Sequence, residues 1–466
     1  MRRRKSEDWL AGLPARRVLV VSDRYPPDDV GGAELSLHLL LREPVLRDQV
    51  LVATFDQTLA EPERRVVDGV DVIALPAPAA WPLHRLSQHE VERLKTRPFL
   101  LKWLSFVGEA VACAVRDPKA HGPALLLRIA RATPPGGMRM AHSTVPESRS
   151  PADIRAILDR LNPALVHADN ARSIMKAATA LEGLATPLVA LVRDHRFTRL
   201  RFDQTAAPSD GAPPDWRKRV ELRCARQALA FRQAMLQRAT RVIATSGYLQ
   251  RTLSEVVAPD RLTRVALVPI APGPTAPRAP TATGAFRILL VGSLTPNKGQ
   301  THLLEGWDEL SARIPDVELD LAGRGPARDD ILRLVRAKGA ASKVRLHGRV
   351  SPAEVAELYA ACDVVALPTL WDEPFGRVSL EAGAAGKPVV AYASGWLANT
   401  VVDGVTGRLA PVGDRAALID ALGELAADPA LRARMGVAGR EAAAAHAPDK
   451  LARRLLWIWD DAARRR

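Results

Sequence analysis

The chain has few cysteines, few aromatic residues and no long apolar run near its start. Its 466 residues include 3 cysteines and 5% Phe, Trp and Tyr. The cysteines (Cys113, Cys224 and Cys362) lie far apart and fit neither a metal-site spacing nor a disulfide framework, which indicates core thiols in a reducing compartment. No apolar segment of secretion-signal length precedes Pro14. Together these absences favour a cytoplasmic protein.

Acidic residues are outnumbered by basic ones. The chain has 66 Lys and Arg against 52 Asp and Glu, which gives a formal net charge of +14. Such an excess favours an anionic partner, and a nucleotide, a phospholipid surface or a nucleic acid would each satisfy it. Neither a combined aromatic and basic platform nor a base-reading helix is apparent, so a nucleic acid is not an expected partner.

Short apolar segments alternate with helical segments along most of the chain, which is typical of an α/β fold with parallel sheets. The length predicts two domains. The Pro- and Thr-rich segment 271–284 is the predicted linker between a first domain at 1–270 and a second at 285–445, and a final helix is expected within 446–466. Four strands are predicted in the second domain, at Phe286–Val291, Val317–Ala322, Val364–Leu367 and Val389–Tyr392.

The alternation is interrupted between about residues 76 and 150, which we interpret as an insertion in the first domain. Its centre, 98–115, is rich in Phe, Leu and Trp but is too short and too charged to span a bilayer. A second segment, 125–131, combines leucines with arginines. These amphipathic segments either lie on an anionic membrane surface, where a lipid-linked acceptor would be found, or pack over an acceptor cleft.

Two carboxylates stand eight positions apart across a predicted strand-to-helix turn. Glu373 and Glu381 enclose the sequence PFGRVSL, and Gly376 ends the turn before an Ala-rich helix. Ligands of parallel sheets lie where the strands end, and the N–H groups that start a helix attract phosphate. Glu373 would therefore face a nucleotide ligand, and Glu381 could accept two hydrogen bonds from a cis-diol such as ribose. The alternative is a surface helix with two solvated glutamates.

A lysine precedes the first helix of the second domain. Gly292, Ser293 and then Lys298 follow the first strand of this domain, and a lysine just before a helix is well placed to neutralise a diphosphate. The glycines that follow the next strand do not form a dinucleotide fingerprint, because Arg328 stands at the third glycine position. A dehydrogenase is rejected on that ground.

The first domain has two candidate sites for the same ligand. Gly31 and Gly32 open a helix, and paired glycines let the backbone approach a ligand closely, although such a pair is also ordinary in a turn. Asp194 and His195 follow a predicted strand, on the edge of the sheet where ligands bind. A single histidine is more often structural than catalytic, so its role depends on its neighbours.

The order of these motifs resembles family 4 of the retaining glycosyltransferases with the GT-B fold. The likeness covers almost the whole chain apart from the insertion and continues beyond Glu381 to Gly407. It implies two doubly wound Rossmann-like domains that face a cleft, with the C-terminal helix crossing back to the N-terminal domain. It also implies transfer of a hexose from a nucleotide-diphosphate sugar, with retention at the anomeric carbon.

The resemblance also assigns roles to individual residues. Glu373, Lys298, His195 and Asp194 would be catalytic, with Lys298 stabilising the leaving diphosphate and His195 or Asp194 contacting sugar or acceptor. The donor would be bound from both domains, by Gly31, Gly32, Gly292, Ser293, Lys298, Arg324, Phe375, Gly376, Arg377 and Glu381. Because the chain has no Asp-x-Asp sequence, neither a metal nor another cofactor is expected.

One position departs from the family pattern. Relatives usually have an arginine where Ser293 stands, so one cation of the phosphate site is missing. We expect Arg377 or Arg324 to compensate, or the stabilisation of the leaving group to be weaker.

The expected reaction is transfer from a UDP- or GDP-linked sugar to a glycan, a lipid-linked acceptor or a small molecule, in envelope or exopolysaccharide synthesis. The expected location is the cytoplasm, with peripheral attachment at the inner face of the plasma membrane. One alternative is a glycosyltransferase of a natural-product pathway. Another is a GT-B protein without turnover that serves as a binding partner or scaffold, which Ser293, Trp396 and Asn399 suggest.

Overall fold

A computed structural model describes residues 7–10, 12–27, 31–56, 58–77, 149–200, 216–271, 273 and 284–465, and the structure is discussed for these residues. Most of the predicted insertion and most of the predicted linker lie outside the described residues. The part before residue 271 is called the N-terminal domain below, and the part after 284 the C-terminal domain.

The N-terminal domain contains an eight-stranded sheet. Its strands are β1 (Val18–Ser22), β2 (Val50–Asp56), β3 (Glu63–Val67), β4 (Val70–Pro76), β5 (Leu165–Asp169), β6 (Leu188–Val192), β7 (Arg241–Ala244) and β8 (Leu262–Arg264). Their order is β3-β4-β2-β1-β5-β6-β7-β8, and β3 alone pairs antiparallel. The order reverses at β1, which is the arrangement of a doubly wound sheet with its ligand crevice beyond the carboxyl ends of the strands.

Six helices accompany this sheet among the described residues: α1 (Gly32–Leu41), α2 (Pro44–Arg47), α3 (Arg149–Leu161), α4 (Asn170–Ala180), α5 (Trp216–Leu236) and α6 (Gly247–Leu253). The buried faces of α3 and α4 pack on one side of the sheet, and α1 packs on the other. A short 3-10 helix, His195–Phe197, follows β6 directly. The alternation of strands and helices predicted for this domain is confirmed among the described residues, apart from the edge strand β3, which was not predicted.

The C-terminal domain contains a parallel sheet of six strands: β9 (Phe286–Val291), β10 (Val317–Ala322), β11 (Val344–Gly348), β12 (Val364–Leu367), β13 (Val389–Tyr392) and β14 (Gly407–Ala410). Their order is β11-β10-β9-β12-β13-β14. The four strands predicted from the sequence are confirmed at both ends. They are almost wholly buried, and strands covered on both faces have continuous apolar sequences that are easy to recognise.

Helices on both faces cover this sheet: α7 (Gln300–Glu305), α8 (Trp307–Arg313), α9 (Arg328–Ala337), α10 (Pro352–Ala361), α11 (Arg377–Ala384), α12 (Leu397–Thr400), α13 (Arg415–Ala427) and α14 (Pro429–Ala444). Among the described residues, no helix has the length and apolar character needed to cross a membrane.

The last helix, α15 (Pro448–Arg464), returns to the N-terminal domain as predicted. Its apolar face shares a buried cluster with β1 and α1. The indole N–H of Trp459 donates to Nδ1 of His167 in β5 at 3.3 Å, and Asp461 pairs with Arg241 in β7 at 2.6 Å. The C-terminal helix therefore continues from the C-terminal domain and packs on the sheet and on α1 of the N-terminal domain.

Candidate functional site

The carboxyl ends of the two sheets face each other, and the loop between β12 and α11 lies where they meet. This β12–α11 loop, residues 368–376, contains Glu373. Nζ of Lys298, just before α7, lies 2.7 Å from Oε2 of Glu373. The indole N–H of Trp371 donates to the same oxygen at 3.0 Å. The structure thus brings together the lysine and the glutamate that the sequence predicts as catalytic.

Glycines allow this part of the chain to pack closely. Gly376 has φ of 87° at the start of α11, a left-handed conformation that favours glycine. Gly299 has φ of 76°, and a Cβ atom there would lie 1.8 Å from the carbonyl oxygen of Pro368. Close packing at Gly299 therefore sets the distance between Lys298 and the β12–α11 loop.

Glu381 lies one helical turn beyond Arg377 on α11, and both side chains have partners. Arg377 Nε donates to Glu381 at 2.7 Å, and the hydroxyl of Tyr359 donates to the other carboxylate oxygen at 3.1 Å. A terminal nitrogen of Arg377 reaches the N-terminal domain, where it donates to Ser36 Oγ at 2.5 Å and to the carbonyl of Pro269 at 2.8 Å. Arg377 is therefore an interdomain contact as well as a candidate donor-binding residue.

The glycine pair at the start of α1 faces this arginine. A Cβ atom at Gly32 would lie 3.3 Å from Cδ of Arg377. The N–H of Gly31 donates to the side chain of Glu34 at 3.1 Å, which caps the helix. The two predicted halves of the donor site therefore lie next to each other across the interface.

The loops that follow β9 and β10 lie side by side. A Cβ atom at Gly323 would lie 1.8 Å from the carbonyl oxygen of Gly292, so the two loops are in close contact. The N–H of Leu294 donates to the carbonyl of Arg324 at 2.9 Å. Arg324 therefore follows β10 directly beside Ser293, where the sequence lacks the expected arginine.

His195 is fully buried at the end of β6, and it contacts the β12–α11 loop. Its Nε2 lies 2.8 Å from the carbonyl oxygen of Asp372, which can only accept, so Nε2 carries the proton. Nδ1 is buried without a partner among the described residues. Burial lowers the pKa of His195 below its ordinary value, although the bond to Asp372 acts in the opposite direction. His195 is thus neutral near pH 7.

Asp194 stands beside this histidine with a local role in the backbone. Its carboxylate accepts from the N–H of Arg196 at 2.9 Å and pairs with the Arg196 side chain at 2.9 Å. The carboxylate is therefore partly occupied at the end of the sheet, and contact with sugar or acceptor stays a prediction for this residue.

Three residues at the interface were not predicted from the sequence. Arg199 and Tyr248 of the N-terminal domain both bind Oδ2 of Asp372, with the tyrosine hydroxyl at 3.0 Å. Burial alone would raise the pKa of Asp372, but the hydrogen bonds from Arg199 and Tyr248 lower it below its ordinary value. The sequence offered no signal for this cluster, because its members are distant along the chain.

Two aromatic residues of the C-terminal domain fill the interface. The ring of Phe375 is buried against Leu380 and stands edge-on to His446, with centroids 5.7 Å apart. Trp396 packs against the same cluster and against Gly247, where a Cβ atom would lie 2.7 Å from the indole. These contacts indicate that Trp396 fills space at the interface, and donor binding by Phe375 stays a prediction.

Within the described residues, no group of three or more His, Cys, Asp and Glu side chains is arranged to hold a metal ion. That the transfer reaction needs no metal ion stays a prediction, because only an activity measurement tests it.

Comparison with known proteins finds a family match in the C-terminal domain. Residues 276–442 match the family model described as "Glycosyl transferases group 1". The chain is 38% identical over 159 residues to a GDP-mannose-dependent alpha-(1-6)-phosphatidylinositol monomannoside mannosyltransferase of Mycolicibacterium smegmatis, which covers 33% of this chain and 42% of that protein. It is 37% identical over 179 residues to a D-inositol 3-phosphate glycosyltransferase of Corynebacterium diphtheriae, which covers 37% and 42%. The matched region thus spans less than half of each relative's length.

A solved structure extends the likeness to the whole fold. Sucrose-phosphate synthase from Thermosynechococcus elongatus superposes with a TM-score of 0.66 at 20% identity, over 96% of this chain and 98% of that chain. At this level of identity the likeness shows the fold alone. The predicted architecture of two Rossmann-like domains around a cleft, the GT-B fold, is confirmed.

Proposed function

We propose that the protein is a retaining hexosyltransferase, because residues 276–442 match the family model of glycosyl transferases group 1 and the chain has the GT-B fold. Its donor is a UDP- or GDP-linked sugar. Its acceptor is a glycan, a lipid-linked intermediate or a small molecule, with a role in envelope or exopolysaccharide synthesis. The observation that carries the proposal is the Lys298–Glu373 pair at the junction of the two sheets, 2.7 Å apart.

The chemistry of this pair suits transfer of a sugar from a diphosphate. Lys298 supplies a positive charge at the start of α7, which would stabilise the diphosphate as it leaves. Glu373 would hold hydroxyl groups of the sugar, and Glu381 would accept from the ribose. His195 donates from Nε2 to the carbonyl of Asp372, next to Glu373 in the chain, and its contact with sugar or acceptor stays a prediction. No nucleophile of the protein is required, because a phosphate oxygen of the donor can accept the acceptor's proton during front-side attack.

The names of the relatives support the acceptor class. One acts on a phosphatidylinositol mannoside and another on inositol 3-phosphate, and both acceptors carry a phosphorylated polyol. We propose an acceptor with polyol hydroxyl groups, either free or lipid-linked. The membrane surface expected from residues 98–115 and 125–131 concerns segments outside the described residues, so attachment at the inner face of the plasma membrane stays a prediction.

Donor binding is the first property to measure. The purified chain would be unfolded by heat with a panel of UDP-, GDP- and ADP-sugars, since a ligand at a hundred times its Kd stabilises by about 2.7 kcal/mol. One donor should raise the Tm of the wild type, and Glu381→Ala should abolish that shift. Glu357→Ala, on the exposed face of α10, is the matched control and should keep it.

Turnover separates the proposal from the scaffold alternative. With the responding donor, release of nucleoside diphosphate in the presence of inositol phosphates and polyol glycosides is expected, and it should persist in excess EDTA. Donor binding without transfer or hydrolysis would favour a GT-B protein without turnover. No response to any nucleotide sugar would remove the basis of the proposal.

A further inference from the structure

Asp372 is held by the N-terminal domain through both its side chain and its backbone. Tyr248 and Arg199 bind the carboxylate, and Arg199 also donates to the tyrosine hydroxyl at 2.6 Å. The hydroxyl thus accepts one bond and donates the other. His195 holds the carbonyl of the same residue at 2.8 Å. Three side chains of one domain therefore converge on a single residue of the other.

Asp372 is next to the candidate catalytic residue Glu373 in the chain, so the contacts that hold Asp372 also restrain Glu373. The two neighbours of Asp372 are Trp371 and Glu373, and Glu373 accepts from the indole of Trp371 and from Lys298. From the C-terminal domain, the N–H of Trp396 donates to the carbonyl of Glu373 at 2.8 Å. The backbone of the candidate catalytic glutamate is thus fixed by its own domain on one side and, through Asp372, by the partner domain on the other.

The cluster is suited to opening and closing. The side chains of Arg199 and Asp372 are 33% and 44% exposed. Ion pairs with this degree of exposure are weak compared with buried ones, so the contact can break and form again without large cost. The rings of Tyr248 and Trp371 meet the imidazole of His195 edge-on, with centroids 5.4 and 5.8 Å away, which limits the geometries in which the contact forms.

We infer that Arg199, Tyr248 and Asp372 form an interdomain clasp that holds the two domains closed and thereby orients Glu373 for catalysis. They act as positioning residues, through Glu373, and the inference rests on the proposed function in that respect. Because most of the candidate donor-binding residues, Lys298 and Glu381 among them, belong to the C-terminal domain, donor binding depends less on the clasp than the rate of transfer does. The rate of transfer depends on it, since a small displacement of a catalytic group has a large effect on rate.

Steady-state kinetics test the positioning role. Asp372→Ala and Tyr248→Phe are each expected to lower kcat, by about ten- to a hundredfold for Asp372→Ala, and to leave the Kd for the donor within about threefold. Tyr248→Phe removes one hydroxyl and keeps the ring that contacts His195, so it guards against a folding defect. Adding Arg199→Gln to Asp372→Ala should lower kcat no further, because both substitutions remove the same contact.

Arg251→Gln is the matched control. Its guanidinium carbon lies 6.0 Å from the centre of the Tyr248 ring, and it has no contact with Asp372 among the described residues. This variant should keep the wild-type kcat. A wild-type kcat in both Asp372→Ala and Tyr248→Phe, or additive effects of Arg199→Gln and Asp372→Ala, would overturn the clasp.

X-ray scattering of the ligand-free protein tests the clasp independently of activity. Asp372→Ala should increase the average radius of gyration relative to the wild type and to Arg251→Gln, because the open arrangement of the domains becomes more populated when this contact is lost. An unchanged radius would overturn the clasp whatever the kinetics. If the wild type transferred no sugar from any donor, the proposed function would fail, and the scattering comparison would still decide whether these residues hold the domains closed.

Discussion

Lys298 and Glu373 stand 75 positions apart in the chain, and their side chains form an ion pair with Nζ 2.7 Å from Oε2. The ring of Trp371 lies beside both, with its centroid 5.3 Å from Nζ. The lysine side chain is 26% exposed and the glutamate 15%, so solvent and ligands reach the pair. An entering diphosphate would compete with the glutamate for the lysine and leave the carboxylate to hold the sugar.

Loss of either member of this pair should strongly reduce transfer. Lys298→Ala and Glu373→Ala are each expected to lower turnover by about a hundredfold or more, because each removes a charge that acts at the reacting centre. Initial rates at saturating donor would measure the effect. Lys338→Ala, at an exposed ion pair with Asp308, is the control and should retain wild-type rates. Near-normal turnover in both site variants would contradict the assignment of the site.

A second prediction concerns the serine that replaces the expected arginine. The carbonyl of Arg324 accepts from the N–H of Leu294 at 2.9 Å, so Arg324 lies on the loop next to that of Ser293. Arg377 lies on a different element, at the start of α11, where its guanidinium contacts Ser36 and Pro269 of the N-terminal domain. We therefore expect Arg324, rather than Arg377, to supply the missing cation. Arg324→Gln should weaken binding of the nucleotide sugar by about tenfold, the loss typical of a hydrogen bond to a charged group.

Isothermal titration calorimetry would measure the affinity of three variants for the nucleotide sugar and show whether Arg324 replaces the missing arginine. Adding Ser293→Arg to Arg324→Gln should restore the affinity for the nucleotide sugar. The new guanidinium would be supplied from the loop after β9, which contacts the loop that contains Arg324. Arg328→Gln, an exposed arginine that pairs with Asp329, should bind the donor like the wild type. Unchanged affinity in Arg324→Gln would show that the diphosphate is held without this arginine.

The third prediction concerns close packing at Gly299. Its Cβ position lies 1.8 Å from a carbonyl oxygen, whereas Gly339 has a similar φ of 62° with no atom within 4 Å of that position. Gly339→Ala should lose about 1 kcal/mol, for the left-handed conformation alone. Gly299→Ala should lose at least about 1 to 3 kcal/mol more, because the backbone must move. Urea unfolding compares the two, and equal losses would show that the loop accommodates a methyl group.

Buried strands were predicted from the sequence more accurately than exposed ones. Strands such as β9 and β12 have unbroken apolar sequences because both faces are covered, and they were predicted at both ends. Strand β3 was missed because it lies at the edge of the sheet with the sequence ERRVV, mostly exposed. A charged, exposed edge strand lacks the apolar pattern on which such predictions depend.

The residues of the candidate site also differ in whether the sequence could predict them. Glu373, Glu381 and Lys298 lie next to turns and helix starts that local sequence identifies. The partners of Asp372 could not be predicted, since Arg199 and Tyr248 are 173 and 124 positions away and meet it only through the packing of two domains. Local sequence contains no information on that packing, so contacts between domains had to come from the structure.

The last prediction is a dependence of stability on pH that centres on His167. This histidine is fully buried in β5, where Nδ1 accepts from the indole of Trp459 at 3.3 Å. Burial, aided by the nearby charge of Arg193, lowers its pKa from 6.5 to about 3. The unfolded chain therefore binds a proton near pH 6.5 that the folded protein does not bind until about pH 3. The stability from neutral His167 is fully present above pH 6.5 and is lost as the pH falls toward 3.

Removal of this imidazole should flatten the pH dependence. One such group contributes a slope of up to about 1.4 kcal/mol per pH unit to the free energy of unfolding. His167→Gln keeps an acceptor for the indole of Trp459 and cannot take up the proton, so its urea midpoint should fall less than that of the wild type between pH 6.5 and 4.5. His347→Gln, at a partly exposed histidine bonded to Asp320, controls for loss of an imidazole elsewhere. If the His167→Gln and wild-type curves stay parallel, the folded protein takes up a proton at this position as readily as the unfolded chain, and burial does not keep His167 neutral.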